Sequence, residues 1–155
     1  TLGAYGAERE NKNQGKVDDV QDEFNGSMFV NYNFGPVSIG YQETYFDSGV
    51  THNATVAPLT TTNVKTVGAA GGIFTGEAMS IAFNVNDNLS VSYGEREVEF
   101  DKASAADVTE EGEGIAVAYT MGSIKVTGNR NEVGDNNGTA GSQDEMTEIA
   151  VSFAF

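Results

Sequence analysis

Few residues in this 155-residue chain could do chemistry, and most of those are carboxylates. His52 is the only histidine and there is no cysteine, which removes thiol nucleophiles, thiolate metal sites and disulfides together. His52 sits in a polar stretch with no partner, so no Ser-His-Asp set can be assembled and the residue reads as an incidental surface group. The acid pairs Glu110-Glu111 and Asp144-Glu145 have the residue types of general acid–base catalysis. They lie among like charges with no defined cleft, so a solvated acidic face is expected and no enzymatic activity is predicted. Two oxygen-rich clusters, Asp18, Asp19, Asp22 with Glu23, and Asp135, Asn136, Asn137 with Asp144 and Glu145, supply the ligands a hard cation takes. Their spacing is not that of an EF-hand loop. Loop-bound Ca²⁺ at Asp18, Asp19, Asp22, Asp135 and Asp144 is the one cofactor they could imply, set against plain solvation.

The charge balance narrows the partners further. Eight Lys and Arg stand against 23 Asp and Glu, a formal charge of −15, which excludes a phosphate-binding basic face and hence nucleic acid. Hydrophobic residues make up 39%, with 19 Gly and two Pro, a composition that suits one domain, 1–155, of many short strands.

The elements that would position these groups follow one beat. Ile149-Ala150-Val151-Ser152-Phe153-Ala154-Phe155 alternates large apolar with small residues, and Met28–Phe34, Met79–Val85 and Ile115–Met121 repeat the pattern. A period of two means β-strands. In a soluble sandwich the second face would carry Lys, Glu and Thr toward water; here it is Ser, Ala, Gly and Asn. A wide water-filled lumen behind an apolar, lipid-facing surface fits that pairing. No stretch approaches the roughly 18 residues of a membrane helix, so a membrane-spanning form must be a barrel. The chain opens on Thr1, already in a strand-like segment, and reads as a mature piece or a fragment.

Tight turns at Gly35-Pro36, Asp87-Asn88 and Gly122-Ser123 alternate with polar loops near 11–22, 47–76, 101–112 and 134–145. The fold predicted is therefore all-β, an antiparallel up-and-down meander of about eight strands near 1–10, 23–34, 37–46, 77–86, 89–100, 113–121, 124–133 and 146–155. Such a meander is either a transmembrane β-barrel or the C-terminal half of a larger one. Charges recur on the outward parity at one offset: Glu8, Glu43, Glu95 and Arg130 end four-residue outward series, and Glu77, Glu113 and Glu145 begin the returning ones. A bilayer edge would impose such a boundary, although seven residues tilted by about 40° cover only about 18 Å of a band of about 25 Å. Tyr32, Phe34, Tyr41, Phe83, Tyr93, Tyr119 and Phe153 would supply interface aromatics. Gln42, Asn84, Arg96, Lys125 and Glu148 have lumen parity and are the candidate pore-lining residues, with pairing to neighbouring acids the alternative for Arg96 and Lys125. The inward set is otherwise too small to fill a closed eight-strand barrel, which points to a wall cut from a wider one.

In order along the chain, Phe34-Gly35-Pro36-Val37-Ser38-Ile39-Gly40-Tyr41, Met121-Gly122-Ser123-Ile124-Lys125-Val126 and Val151-Ser152-Phe153-Ala154-Phe155 resemble the general diffusion porins of the bacterial outer membrane, most closely the alphaproteobacterial type. The resemblance spans the whole chain as the C-terminal half of such a barrel. It implies a homotrimer in the outer membrane of a Gram-negative bacterium, in contact with lipid and lipopolysaccharide, passing small hydrophilic solutes and ions by passive diffusion. Ile149, Val151, Phe153 and Phe155 are similar to that family's C-terminal insertion signal. The family has about 16 strands, and its constriction loop belongs to the other half. Net acidity adds the expectation of cation preference. Two competing readings remain: a closed eight-strand outer-membrane barrel acting as an adhesin or structural protein without a pore, and a soluble β-sandwich binding module.

Overall fold

The computed structural model of the chain describes residues 1–10, 22–49, 72–102 and 105–154. Eight strands follow in order: β1 (Leu2–Arg9), β2 (Glu23–Phe34), β3 (Val37–Asp47), β4 (Gly72–Asn84), β5 (Leu89–Lys102), β6 (Val108–Met121), β7 (Ile124–Gly134) and β8 (Gln143–Phe153). They form one antiparallel sheet in which each strand pairs with its chain neighbours, from β1 at one edge to β8 at the other. The single non-strand element among the described residues is a 3-10 turn, Asn136–Gly138.

Local chemistry explains the tight ends. Gly35 (φ 55°) and Gly122 (φ 61°) each take the first place of a two-residue turn, where positive φ matches the twist of the flanking strands. Between β4 and β5, the Asn86 side-chain oxygen accepts from the Asn88 and Leu89 N–H groups at 2.9 and 3.0 Å and closes the corner. At the other end of the sheet, Ser48 ties β3 to β4: its hydroxyl donates to Gly72 O and accepts from Gly72 N, both at 2.8 Å.

The strands agree with the alternation pattern except at their long-loop ends. β4 begins at Gly72 and β6 at Val108, each five residues before the expected start, because the backbone ladder continues past the point where the outward residues turn polar. Phe74 pairs with Phe46 and Phe100, and Thr109 with Glu99, in register. β5 and β6 reach 14 residues, about 35 Å at a tilt of about 40°, so strand length no longer falls short of a bilayer.

No described side chain is fully buried, and the large apolar residues of one face are exposed from β1 to β8. There is a sheet here, with no second layer packed on it among the described residues. β1 and β8 do not pair, so the sheet is open.

Candidate functional site

Strand alternation sorts the side chains onto two faces of different chemistry. One is apolar toward the tight turns: Val37, Phe83, Val91 and Val117 stand in one cross-strand row. Toward the long loops the same face becomes acidic. Glu43, Glu77, Glu97 and Glu111 form one row, and Glu95, Glu113, Glu132 and Glu145 the next. With Glu8, Asp47, Glu99 and Asp101 also on it, this face has Arg130 as its only strand cation among the described residues, bridged to Glu132 and, at 3.2 Å, to Glu145.

The opposite face is balanced in charge and, along its middle strands toward the tight turns, small; Tyr5, Phe29, Phe46, Phe74, Phe100 and Met146 are its large hydrophobic residues. Along the rows it presents Ser38, Ala82, Ser92 and Ala116, then Gly40, Ser80, Gly94 and Gly114. Its strand charges are Arg9, Arg96, Lys102 and Lys125 with Glu23, Glu110, Asp144 and Glu148, as many bases as acids. Arg9 pairs with Glu23 at 3.5 Å. Close approach is the reason for some of the glycines: a Cβ at Gly40 would lie 2.7 Å from Ser80 Oγ, and one at Gly114 would lie 2.3 Å from Asn131 Oδ1. In β6 this face is consistently the less exposed: Ala116 and Ala118 are half-buried, whereas Ile115 on the apolar side is 54% exposed.

All five pore-lining candidates lie on the small-residue face, at different heights. Gln42 and Arg96 share a row through Ala78, and the Gln42 amide donates to Ser27 Oγ at 3.2 Å. Glu148 faces Asn129, and Asn84 faces Ser90. Lys125 lies beside Thr120 and Ser152 at the tight-turn end. They line a wall and do not converge on one point. Arg96 is ion-paired to Glu110, as the alternative reading of that residue had it.

The seven aromatics all occupy the apolar face, at two levels. Tyr32, Phe34, Phe83, Tyr119 and Phe153 are exposed toward the turn end. Tyr41 and Tyr93 mark the acidic boundary: Tyr41 donates to Glu43 at 2.5 Å, and Tyr93 donates to Glu113 at 2.9 Å. Ile149, Val151 and Phe153 share the apolar face of β8, with Ile149 76% exposed; Phe155 lies outside the described residues, as do His52, Asp18 and Asp19.

The acid pairs come apart. Glu110 and Glu111, and Asp144 and Glu145, are consecutive strand residues and point to opposite faces, so neither pair can serve one reacting group. Of the cation candidates, Asp135 uses its carboxylate within its own turn, accepting the Gly141 N–H at 2.5 Å. Asp144 lies across from Val133, and Asp22 precedes β2. Among the described residues, no three His, Asp or Glu side chains converge to hold a metal.

What the sequence did not signal is the course of the β7–β8 turn. Instead of projecting beyond the strands, it folds onto the small-residue face over β5 and β6. There Glu110, 4% exposed, accepts from Asn137 N at 2.6 Å and from Arg96. Lys102 Nζ donates to Gly138 O, and Gly138 lies against the Phe100 ring. Below it runs an aromatic row, Phe46–Phe74 at 5.8 Å and Phe74–Phe100 at 5.2 Å. Glu110, expected in the polar loop 101–112, lies on β6 instead.

No protein-family model, curated protein or solved structure matches the chain.

Proposed function

We propose that the chain forms part of the wall of an outer-membrane porin-type channel that passes small hydrophilic solutes and ions by passive diffusion. One observation carries the reading: from β4 to β7 most of the apolar face is exposed, while most of the Ser, Ala, Gly and Asn face is half-buried. A sheet destined for water shelters its apolar side, because each Å² of apolar surface removed from water is worth about 25 cal/mol. A barrel wall in lipid does the reverse.

The open order of the sheet favours a segment of a wider barrel over a closed eight-strand one, and the single layer among the described residues disfavours a sandwich. The acidic rows of β3 to β8 lie within the reach of a lipid band of about 25 Å, so a neighbouring copy, as in a homotrimer, or lipopolysaccharide headgroups with their counter-cations would cover them. Because the small-residue face is balanced in charge, the channel prefers cations only mildly, through the acid around its mouth.

Planar-bilayer recording on the full-length protein tests this. The expected result is ohmic, non-saturating conductance with a reversal potential shifted slightly toward cations in a salt gradient. A folded, bilayer-inserted protein that passes no current refutes the channel, and an anion-favouring potential refutes the selectivity.

A further inference from the structure

We propose that the β7–β8 turn, 135–142, is a fixed inward shelf that narrows the long-loop mouth of the lumen, and that Glu110 is the positioning residue that latches it and so sets the size limit for solutes. The proposal rests on the channel reading above and deepens it, since it names the wall feature that would discriminate among solutes.

Four observations carry it. The turn is built to hold its own shape. Asp135 (φ 52°) and Asn137 (φ 55°) take the left-handed conformation that Asp and Asn tolerate. Asp135 accepts from Gly141, and the backbone closes through Thr139 N to Asn136 O at 3.2 Å and Ser142 N to Thr139 O at 3.0 Å. Second, the turn lies on the small-residue face: its contacts are Glu110, Phe100 and Lys102, all of that parity on β6 and β5. It therefore crosses from β7 toward β5, two inter-strand steps of about 4.8 Å, and covers about 10 Å of wall.

Third, the latch is a nearly buried carboxylate with both oxygens engaged. One takes the Asn137 N–H and the other the Arg96 guanidinium. Gly112 beside it lets Arg96 lie flat: a Cβ there would sit 3.2 Å from Arg96 Nε. Removing the carboxylate would take the partner from the Asn137 N–H and free an arginine, so the latched position is held by more than surface packing. Fourth, the one ionisable side chain of the turn is turned back on its own backbone. Asp135 is occupied by Gly141, and the exposed positions are Asn137, Thr139, Ala140 and Gly141. With no charged side chain at its exposed positions, the shelf sieves chiefly by size.

The test is single-channel recording of the full-length protein in planar bilayers, with polyethylene glycols of graded size added on the long-loop side. Glu110→Ala should raise the conductance and move the cut-off to larger polymers. Glu110→Gln, which keeps an acceptor for the Asn137 N–H, should stay near the wild type. Glu111→Ala, one residue along but on the opposite face, should leave both unchanged. Should Glu110→Ala fail to fold, Gly138→Val lifts the shelf from its other side, because a Cβ there would lie 2.8 Å from the Phe100 ring at φ 65°; the same shift is expected. A wild type that inserts and passes no current overturns the channel and the shelf together. A conducting wild type whose cut-off is unmoved by Glu110→Ala or Gly138→Val overturns the shelf alone.

Discussion

Replacing Val117 by lysine puts the assignment of the two faces to a quantitative test. Val117 is 41% exposed on the apolar face and is flanked across the strands by Val91 and Gly128. It stands midway between Met121 at the turn end and Glu113 at the acidic boundary, four residues from each, or about 13 Å along the strand. A lysine side chain cannot span that distance to bring its ammonium to either interface. In lipid, a lysine at such a position costs about 2–4 kcal/mol, roughly 30- to 900-fold in the folding equilibrium. In water the same exposed substitution would stay within about 0.5 kcal/mol. The neighbouring Ala118 points to the small-residue face between Ser90 and Thr127, so Ala118→Lys should cost no more than about 0.5 kcal/mol in lipid. Urea unfolding of the full-length protein from lipid vesicles measures both. If Val117→Lys is neutral while Ala118→Lys loses 2 kcal/mol or more, on the scale used above, the faces are reversed and the channel wall is on the wrong side.

Glu97 stands directly between Glu77 and Glu111, so Glu97→Lys replaces two like-charge pairs by two opposite ones. It should add about 0.5–2 kcal/mol at low salt and lose most of that gain near 1 M salt; no gain in 10 mM salt would show that these carboxylates are already neutralised by a partner. Gly72 (φ 154°) has room for no side chain, since a Cβ would lie 1.9 Å from the Asp101 carbonyl oxygen. Gly72→Ala should therefore cost about 1–3 kcal/mol and speed amide exchange at Ser48 and Gly72 while leaving the tight-turn end untouched; unchanged exchange there would contradict the close approach of β4 to β5.

The parts of this fold legible in the sequence were those written in local periodicity. Alternation in Ile115–Met121 and Ile149–Phe153 marked strands and assigned faces, and Gly35-Pro36 and Gly122-Ser123 fixed the register of their hairpins, because a two-residue turn leaves no freedom in pairing. What escaped depends on partners distant along the chain. Gly72–Gly76 read as loop because of its glycines and Val108–Gly112 because its outward residues, Thr109 and Glu111, are polar, yet β3 and β5 give them a ladder to extend. The engagement of Glu110 by Arg96 and Asn137 joins residues 14 and 27 positions away. No pattern within one strand can report it. The same gap hid the mismatch between net charge and wall charge: −15 is a property of the whole chain, while the small-residue face carries as many bases as acids.

The plain meander order, in which every strand touches only its predecessor and successor, has a consequence for how such a sheet can change size. In a packed domain, inserting a unit disturbs a shared interior; here the interactions are nearest-neighbour, and the free energy is close to a sum of hairpins and the seams between them. A hairpin such as β5–β6 could be duplicated or removed, leaving its former neighbours to meet across a seam of the same polarity. Such a sheet is a modular tape, and lengthening it in steps of two strands preserves both its two-sided chemistry and the side on which its turns lie.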